Sequence, residues 1–215
     1  MLQLVLLITG AVVLFAVTRF IYLASQSGTR APLTRKRTAP CRTLIVLGSG
    51  GHTAEMLRLL SGMDLNHYQP RVYVVATNDR MSVEKVEKFE SDCGCKTDVD
   101  ICKIPRARQV RQSYWTSVLS TLVAFGYSFP LTFGTLPELV LCNGPGTCIP
   151  VCLAAYLLKF LWLKNVQVVY VESICRVDHL SLSGLLLYYV ADRLLVQWPQ
   201  LKDKYPRTQY IGRIV

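Results

Sequence analysis

The sequence predicts an α/β domain with a mostly parallel sheet, carried behind one N-terminal transmembrane helix. Three observations support this fold class. Short apolar runs rich in β-branched residues alternate with helix-like segments, glycine turns follow two of these runs, and the chain begins with a long apolar segment. Such alternation is typical of a parallel sheet that is covered by helices on both faces.

The predicted anchor comprises residues 2–24, in which Gln3 and Arg19 are the strongly polar residues. A helix of about 20 residues spans the roughly 30 Å hydrocarbon core of a bilayer. A cleaved signal peptide is the alternative, but such peptides have a basic start, and no charged side chain precedes this apolar run. The pattern favours a retained helix, with Arg19 near one interface.

The basic residues are concentrated near the anchor. The formal net charge is +10, and six Lys and Arg side chains precede Glu55, the first acidic residue. Because residues 25–41 follow an apolar span, we interpret them as a basic linker against lipid headgroups, not as a nucleic-acid-binding segment. The positive-inside rule then predicts that the N-terminus is extracellular or lumenal and that the main domain is cytosolic. Eight cysteines are expected there as reduced thiols.

The remaining chain, residues 42–215, is predicted to form one domain, since about 175 residues suffice for one such domain and not for two. Apolar runs predict strands at residues 42–48, 71–79, 100–106, 138–144, 167–173, 193–199 and 209–215. Helical patterns lie between them, at residues 53–62, 81–90, 147–163 and 180–192.

Residues 106–129 do not fit a plain soluble domain. The segment begins with arginines, and apolar side chains at Trp115, Val118, Leu119 and Leu122 share one helical face. This pattern is equally compatible with a helix in a membrane interface and with a core-packing helix. A second transmembrane span is disfavoured by the hydroxyl content and by Pro130, and it would separate the first strands from the last across the membrane.

Three segments are predicted to meet at the carboxyl edge of the sheet, where ligands bind in folds of this class. They are the glycine turn with Gly48, Ser49, Gly50, Gly51, His52 and Thr53, the turn with Asn143, Gly144, Gly146 and Thr147, and the strand end with Glu172 and Ser173. Glycines let a backbone approach a ligand closely, and a helix start favours phosphate oxygens.

The glycines do not identify the ligand. A dinucleotide site expects a third glycine where Thr53 stands, and a P-loop expects a lysine that is absent. A tight turn without any ligand is the alternative. No cysteine pair has the CxxC spacing that is typical of zinc sites, so we predict no metal site. Because neither nucleotide-binding motif is complete, we also predict no cofactor.

Several blocks of the chain resemble a known family. They are GSGGHTAEMLRLL, LVLCNGPGTCIP, VVYVESICRV, RLLVQWPQLKDKYP and YIGRIV. Together they resemble the asparagine-linked glycosylation protein fourteen family, the membrane-anchor subunits of the two-subunit UDP-N-acetylglucosamine transferase. With the anchor included, the resemblance covers nearly the whole chain.

The resemblance implies a Rossmann-like domain, similar to the N-terminal half of a GT-B glycosyltransferase. It implies a soluble cytosolic partner that supplies most of the UDP-GlcNAc site, and a lipid acceptor, dolichyl-diphosphate-GlcNAc. The complex would extend this acceptor by a second GlcNAc at the cytosolic face of the endoplasmic reticulum. Without its partner, the chain is expected to be inactive.

Two residues are candidate catalytic groups within this resemblance. His52 would remove a proton from the acceptor hydroxyl or orient it. Glu172 would act as a base or a polar contact, or would pair with a nearby backbone group or arginine. The apolar terminus Ile211, Gly212, Arg213, Ile214 and Val215 is the expected partner contact. A non-catalytic membrane scaffold and a membrane-tethered NAD-dependent reductase are the alternative functions.

Overall fold

The computed structural model describes five stretches of the chain, which are residues 1–28, 39–94, 99–107, 114–144 and 146–214. Most of the predicted linker at residues 25–41 therefore lies outside the described residues, as does Val215. So does the part of the predicted helix at 106–129 that spans residues 108–113.

A seven-stranded, all-parallel sheet forms the centre of the domain. Its strands are β1 (Thr43–Val46), β2 (Arg71–Ala76), β3 (Val99–Ile104), β4 (Leu139–Asn143), β5 (Gln167–Val171), β6 (Arg193–Val196) and β7 (Thr208–Tyr210). The order across the sheet is β3-β2-β1-β4-β5-β6-β7. The order reverses direction at β1, which pairs with β2 on one side and with β4 on the other. The turns that follow β1 and β4 are therefore neighbours.

Within the described stretches, seven helices surround or precede the sheet. They are α1 (Leu2–Gln26), α2 (Gly51–Ser61), α3 (Arg80–Cys93), α4 (Tyr114–Thr135), α5 (Cys148–Phe160), α6 (Leu182–Leu187) and α7 (Pro199–Lys204), with a 3-10 turn at Leu65–His67. Side chains from α2 and α3 pack against one face of the sheet, and those from α4 to α7 pack against the other. The strands are apolar on both sides because both faces are covered.

The strand pattern predicted from sequence is confirmed for the first six strands, with small shifts at their ends. The seventh prediction, residues 209–215, is wrong in extent. β7 ends at Tyr210, and the chain leaves the sheet through Gly212, whose φ is +78°. The N–H of Ile211 still donates to the backbone oxygen of Val196 at 3.1 Å, whereas the N–H of Ile214 donates to the side chain of Gln197 and no longer to the backbone of the neighbouring strand.

Helix α4 extends beyond the predicted end at residue 129. Its described part starts at Tyr114, next to the undescribed residues 108–113, and it continues through Pro130 to Thr135. Although α4 is long and apolar enough to cross a membrane, the strands that flank it exclude a single crossing. β1 precedes α4, β4 follows it, and the two strands are hydrogen-bonded to each other.

The large apolar side chains in the first half of α4 face away from the domain, whereas Leu131 and Phe133 near its end pack against the core. Small and hydroxyl side chains at Ala124, Ser128 and Thr132, spaced four residues apart, form its buried stripe. Trp115 is 90% exposed, and Val118, Leu119 and Leu122 are also exposed. These four side chains therefore do not contribute to the core, although α4 packs on the domain through its buried stripe. Bulky apolar groups turned outward fit contact with an apolar phase.

Helix α1 is exposed along the window that satisfies the length and composition of a membrane span. Its C-terminal end nevertheless docks on the domain. Arg19 donates to the backbone oxygens of Lys159 (3.0 Å) and Phe160 (3.5 Å) at the end of α5, and its guanidinium lies 3.8 Å from the ring centroid of Trp162. Arg207 donates to the oxygen of Ser27 at 2.7 Å. The anchor is thus attached directly to the folded domain.

Candidate active site

The three predicted segments meet at the carboxyl edge of the sheet. The turn after β1 leads into α2, which carries His52 in its first turn. Asn143 is the last residue of β4, and Glu172 and Ser173 follow β5. Because β1, β4 and β5 are consecutive in the sheet, these residues are adjacent in space although they are far apart in sequence.

A hydrogen-bonded chain joins His52 to a buried carboxylate. Nδ1 of His52 lies 2.9 Å from Oδ1 of Asn143, whose Nδ2 donates to Oε2 of Glu55 at 2.9 Å. Oε1 of Glu55 accepts a hydrogen bond from Oγ of Ser173 at 2.8 Å. Asn143, Glu55 and Ser173 are buried, so water competes little for these bonds.

This chain determines the tautomer of the imidazole. A carboxylate only accepts hydrogen bonds, so the amide nitrogen of Asn143 must face Glu55 and its oxygen must face His52. The Nδ1 of His52 therefore carries the proton and donates to Asn143. In the neutral imidazole, Nε2 is therefore the nitrogen that carries the free lone pair.

Gly144 allows this arrangement because it has no side chain. Its φ is +83°, and a Cβ at this position would overlap the His52 ring. The hydroxyl of Tyr170 donates to the backbone oxygen of Gly144 at 2.9 Å. The turn after β4 is thereby held against the imidazole.

The carboxylate of Glu172 is fully buried and bonded mainly to backbone groups. Oε2 accepts from the N–H and the hydroxyl of Ser181 at 2.9 and 3.0 Å, and Oε1 accepts from the N–H of Ser173 at 3.2 Å. Burial raises the pKa of Glu172 above its usual value, although these hydrogen bonds oppose the shift. A Cβ at Gly184 would overlap Oε2, so α6 approaches the carboxylate through a glycine.

The other predicted loop residues are divided between two depressions and the interior. Gly146 lines the same cavity as His52, whereas Ser49 and Gly50 line a smaller depression beside Arg80 and Arg106. Thr53 and Thr147 are buried. The hydroxyl of Thr53 donates to the backbone oxygen of Gly48 and forms a hydrogen bond of 2.7 Å with the hydroxyl of Ser82. Thr53 therefore stabilises the conformation of the glycine turn. Gly51 begins α2 and is exposed.

A cavity of about 760 Å³ opens at this edge. Its polar end is formed by His52, Glu172, Ser173 and Arg176, and α4 and α6 supply apolar side chains to its other walls. This volume is within the range of small-molecule sites. In the stretches that the structure describes, no group of three or more His, Cys, Asp or Glu side chains is placed to hold a metal ion.

The predicted partner-contact segment lies beside the site. Ile211 is exposed, and the guanidinium of Arg213 lies 4.3 Å from the ring centroid of Trp198. The N–H of Ile214 donates to Oε1 of Gln197 at 3.0 Å, and Nε2 of Gln197 donates to the backbone oxygen of Glu172 at 3.1 Å. The terminus is therefore connected to the site through one buried side chain.

Sequence reasoning missed four residues of the site. Glu55 could have been found, because it lies three positions after His52 and therefore on the same face of a helix. Ser181, Gly184 and Arg176 carried no recognisable signal. Their positions depend on the loop after β5, which returns α6 to the carboxylate of Glu172.

The fold is similar to that of larger solved structures. MurG from Acinetobacter baumannii matches with a TM-score of 0.54 and 17% identity, over 75% of this chain and 43% of that one. A UDP-N-acetylglucosamine 2-epimerase matches with a TM-score of 0.53 and 18% identity, over 77% of this chain and 42% of that one. The chain thus spans less than half the length of these structures. Its fold is a Rossmann-like domain equivalent to one half of a GT-B protein, which confirms the predicted fold class.

Sequence comparisons identify the family. The family described as "Oligosaccharide biosynthesis protein Alg14 like" matches residues 43–214. The protein named UDP-N-acetylglucosamine transferase subunit ALG14 is 52% identical in Rattus norvegicus, over 80% of this chain and 82% of that protein. Its namesake in Yarrowia lipolytica is 42% identical over 98% of both chains, the anchor region included. The chain belongs to the Alg14-like family.

Proposed function

We propose that this chain is the membrane-anchoring, acceptor-side subunit of a UDP-GlcNAc transferase. The complex adds the second GlcNAc to dolichyl-diphosphate-GlcNAc in the synthesis of the N-glycan precursor. The relatives are named as subunits of a UDP-N-acetylglucosamine transferase, which supports the donor and the transfer, and the lipid acceptor is the one that the family resemblance implies. The observation that carries the acceptor-side role is the position of His52, which lines a cavity with apolar side chains from two helices while its Nδ1 is bonded to Asn143.

In the proposed mechanism, Nε2 of His52 accepts the proton of an acceptor sugar hydroxyl. The hydroxyl oxygen attacks the anomeric carbon of the donor sugar with inversion, and the bond from that carbon to the phosphate oxygen of UDP breaks. UDP leaves with the bonding electrons. Asn143 and Glu55 favour the imidazolium that forms, because the carboxylate polarises the amide that accepts from Nδ1.

The contacts of Glu172 favour a positioning role over that of a base. Its oxygens already accept three hydrogen bonds from Ser173 and Ser181. The carboxylate connects the end of β5 to the start of α6, where the Ser181 side chain accepts from the N–H of Gly184. The glycine turn with Gly144 and Gly146, which lines the cavity with His52, would let the acceptor diphosphate approach the backbone.

The proposed location is the endoplasmic reticulum membrane, with a lumenal N-terminus and a cytosolic domain. α1 is long and apolar enough to span the bilayer, and the basic residues that follow it favour the cytosolic side. The exposed apolar face of α4 would lie in the cytosolic interface of the same membrane. A soluble, UDP-GlcNAc-binding subunit would complete the active site and contact residues 211–215.

The test is an assay of transfer from UDP-GlcNAc to a GlcNAc-diphosphate-lipid, in membranes with and without the soluble subunit. We expect activity only with both chains, and a decrease in kcat of about 10²- to 10⁴-fold in His52→Ala. Recruitment of the soluble subunit should be unchanged. His67→Ala is the matched control, because His67 is 61% exposed and pairs with Asp64 away from the cavity.

A non-catalytic scaffold is the competing function, and the same assay separates the two. A scaffold would retain full transfer in His52→Ala and in Gly51→Val, provided that the soluble subunit is still recruited. Full activity in both variants would assign the chemistry to the partner alone.

A further inference from the structure

Two helices present exposed leucines or valines to the same cavity. Val118 and Leu122 of α4 lie on one side, and Leu182 and Leu186 of α6 lie on the other. All four side chains are more than half exposed. Exposed apolar side chains on two facing helices form a cleft with apolar walls, which is costly in water unless a ligand or a lipid covers it.

The position of α6 is set by the site itself. Ser181 caps α6 by accepting from the N–H of Gly184, and both the N–H and the hydroxyl of Ser181 are bonded to Glu172. The opposite wall is fixed by the buried stripe of α4, which contacts the rest of the domain through Ala124 and Ser128. The cleft is therefore built on the rigid parts of the fold.

The cleft combines polar and apolar side chains. His52 and Arg176 line it together with the apolar side chains of α4 and α6. Arg176 is exposed, and it is the one Arg or Lys among the described residues that line the cavity. Leu119 and Trp115, which also belong to α4, are exposed as well.

From this arrangement we infer that the cleft between α4 and α6 holds the first isoprene units of the lipid-linked acceptor, with Arg176 facing its diphosphate. The inference rests on the proposed function and adds to it the residues that select the lipid. His52, Arg176 and the apolar side chains of both helices line one cavity, and a ligand that has a sugar, two phosphates and an apolar chain offers a matching group to each. The cation matches the charge of the diphosphate, and the leucines match a hydrocarbon chain.

Two neighbouring leucines of α6 provide a matched test. Leu186 lines the cleft and is 57% exposed, whereas Leu185 does not line it and is 46% exposed. In the complete two-subunit complex, we expect Leu186→Ser to raise the KM for a long polyprenyl acceptor about tenfold. Leu185→Ser should leave it unchanged. With an acceptor that carries a short alkyl chain, both variants should behave as wild type.

The outcomes separate this inference from the proposed function. If wild type transfers GlcNAc to neither acceptor, the proposed function fails. If wild type is active but Leu185→Ser and Leu186→Ser are equally impaired, the leucines contact bulk membrane or a protein partner and the inference is wrong. It is also wrong if Leu186→Ser has a normal KM for the long acceptor, or an equal defect with the short one.

Arg176 has its own test. Arg176→Gln should raise the KM for long and short acceptors alike by about tenfold, because the diphosphate is common to both, and Arg176→Lys should restore part of the loss. Arg58→Gln, an exposed arginine on α2 that does not line the cavity, is the control. A normal acceptor KM in Arg176→Gln would overturn the role of this residue.

Photocrosslinking supplies a direct measurement on the wild-type complex. An acceptor with a diazirine on its second isoprene unit should label residues 182–187 of α6 and the first half of α4, and excess unlabelled acceptor should suppress the labelling. Labelling that excess acceptor does not suppress would indicate bulk lipid contact and would overturn the inference. Suppressible labelling confined to other helices would do the same.

Discussion

Glu55 orients Asn143 by accepting a 2.9 Å hydrogen bond from its side-chain amide. The other end of that amide bonds to His52. The buried carboxylate thus selects which nitrogen of a histidine is protonated, without touching the histidine itself. Within the proposed function, Glu55 is a positioning residue, and its effect on transfer can be separated from its effect on stability.

Replacing Glu55 by alanine should remove the hydrogen bond that fixes the orientation of the Asn143 side-chain amide. In Glu55→Ala, the buried groups of Asn143 and Ser173 lose their partner, and we expect the free energy of unfolding to fall by about 1–3 kcal/mol. The amide of Asn143 can then rotate and present its N–H to His52, which favours the opposite tautomer and lowers kcat. Glu55→Gln can keep both hydrogen bonds and should retain most stability and activity. Thermal unfolding and single-turnover transfer measure the two effects, and a wild-type kcat in Glu55→Ala would contradict the orienting role.

Gly144 should tolerate no side chain. In Gly144→Ala, the new methyl group meets the His52 ring, and the backbone remains at a φ of +83°. The left-handed conformation alone costs a non-glycine residue about 1–2 kcal/mol. We expect lower thermal stability because of this strain, and at least a tenfold loss of transfer because the imidazole is displaced. Gly134→Ala on α4, where a Cβ meets nothing within 4 Å, is the control and should be neutral or slightly stabilising.

The buried carboxyl of Glu172 should make stability depend on pH. Burial raises the pKa of Glu172 above the usual 4.5. The Glu172 carboxyl group therefore keeps its proton in the folded state over a pH range in which it is ionised in the unfolded state. The contribution of Glu172 to stability is therefore largest below about pH 4.5 and decreases as the pH rises towards the raised pKa. Glu172→Gln has no such proton, so the Tm of wild type relative to Glu172→Gln should decrease from pH 4 to pH 8. A constant difference would show that the carboxyl has an ordinary pKa in the folded protein.

Arg19 should determine whether the anchor is fixed to the domain. In Arg19→Ala, the bonds to the oxygens of Lys159 and Phe160 and the contact with Trp162 are lost. We expect α1 to remain in the membrane because its apolar span is intact. Amide hydrogen exchange at residues 159–164 should become about tenfold faster, since a cation–π contact and two hydrogen bonds are removed. Arg58→Ala is the control, and unchanged exchange in Arg19→Ala would indicate that the docking is weak.

The C-terminal segment should be needed for partner recruitment. Deleting residues 211–215 removes the exposed side chain of Ile211 and the bond from Ile214 to Gln197. We expect the soluble subunit to bind membranes bearing this variant at least tenfold more weakly, by the loss of apolar contact. Leu163→Ser replaces an exposed apolar side chain elsewhere and should bind normally. Normal recruitment by the truncated chain would remove residues 211–215 from the interface.

Local patterns in the sequence determined the parallel sheet, the apolar anchor and the two glycine turns. Runs of β-branched residues predict buried strands wherever they occur, and a long apolar helix predicts a membrane span, because both signals depend on residues close together in the chain. The extent of β7 was predicted wrongly because the length of a strand depends on the neighbouring strand that pairs with it. A pattern of residues close together in the chain does not contain this information.

Only the tertiary structure decided which side chains act together. Glu55 and Asn143 are 88 positions apart and meet because β1 and β4 are neighbours in the sheet. Arg19 reaches a backbone oxygen 140 positions away, and the leucines of α6 face α4 because Glu172 holds Ser181. Hydrogen bonds and apolar contacts act over a few ångströms of space, and the fold alone brings such distant segments within that range.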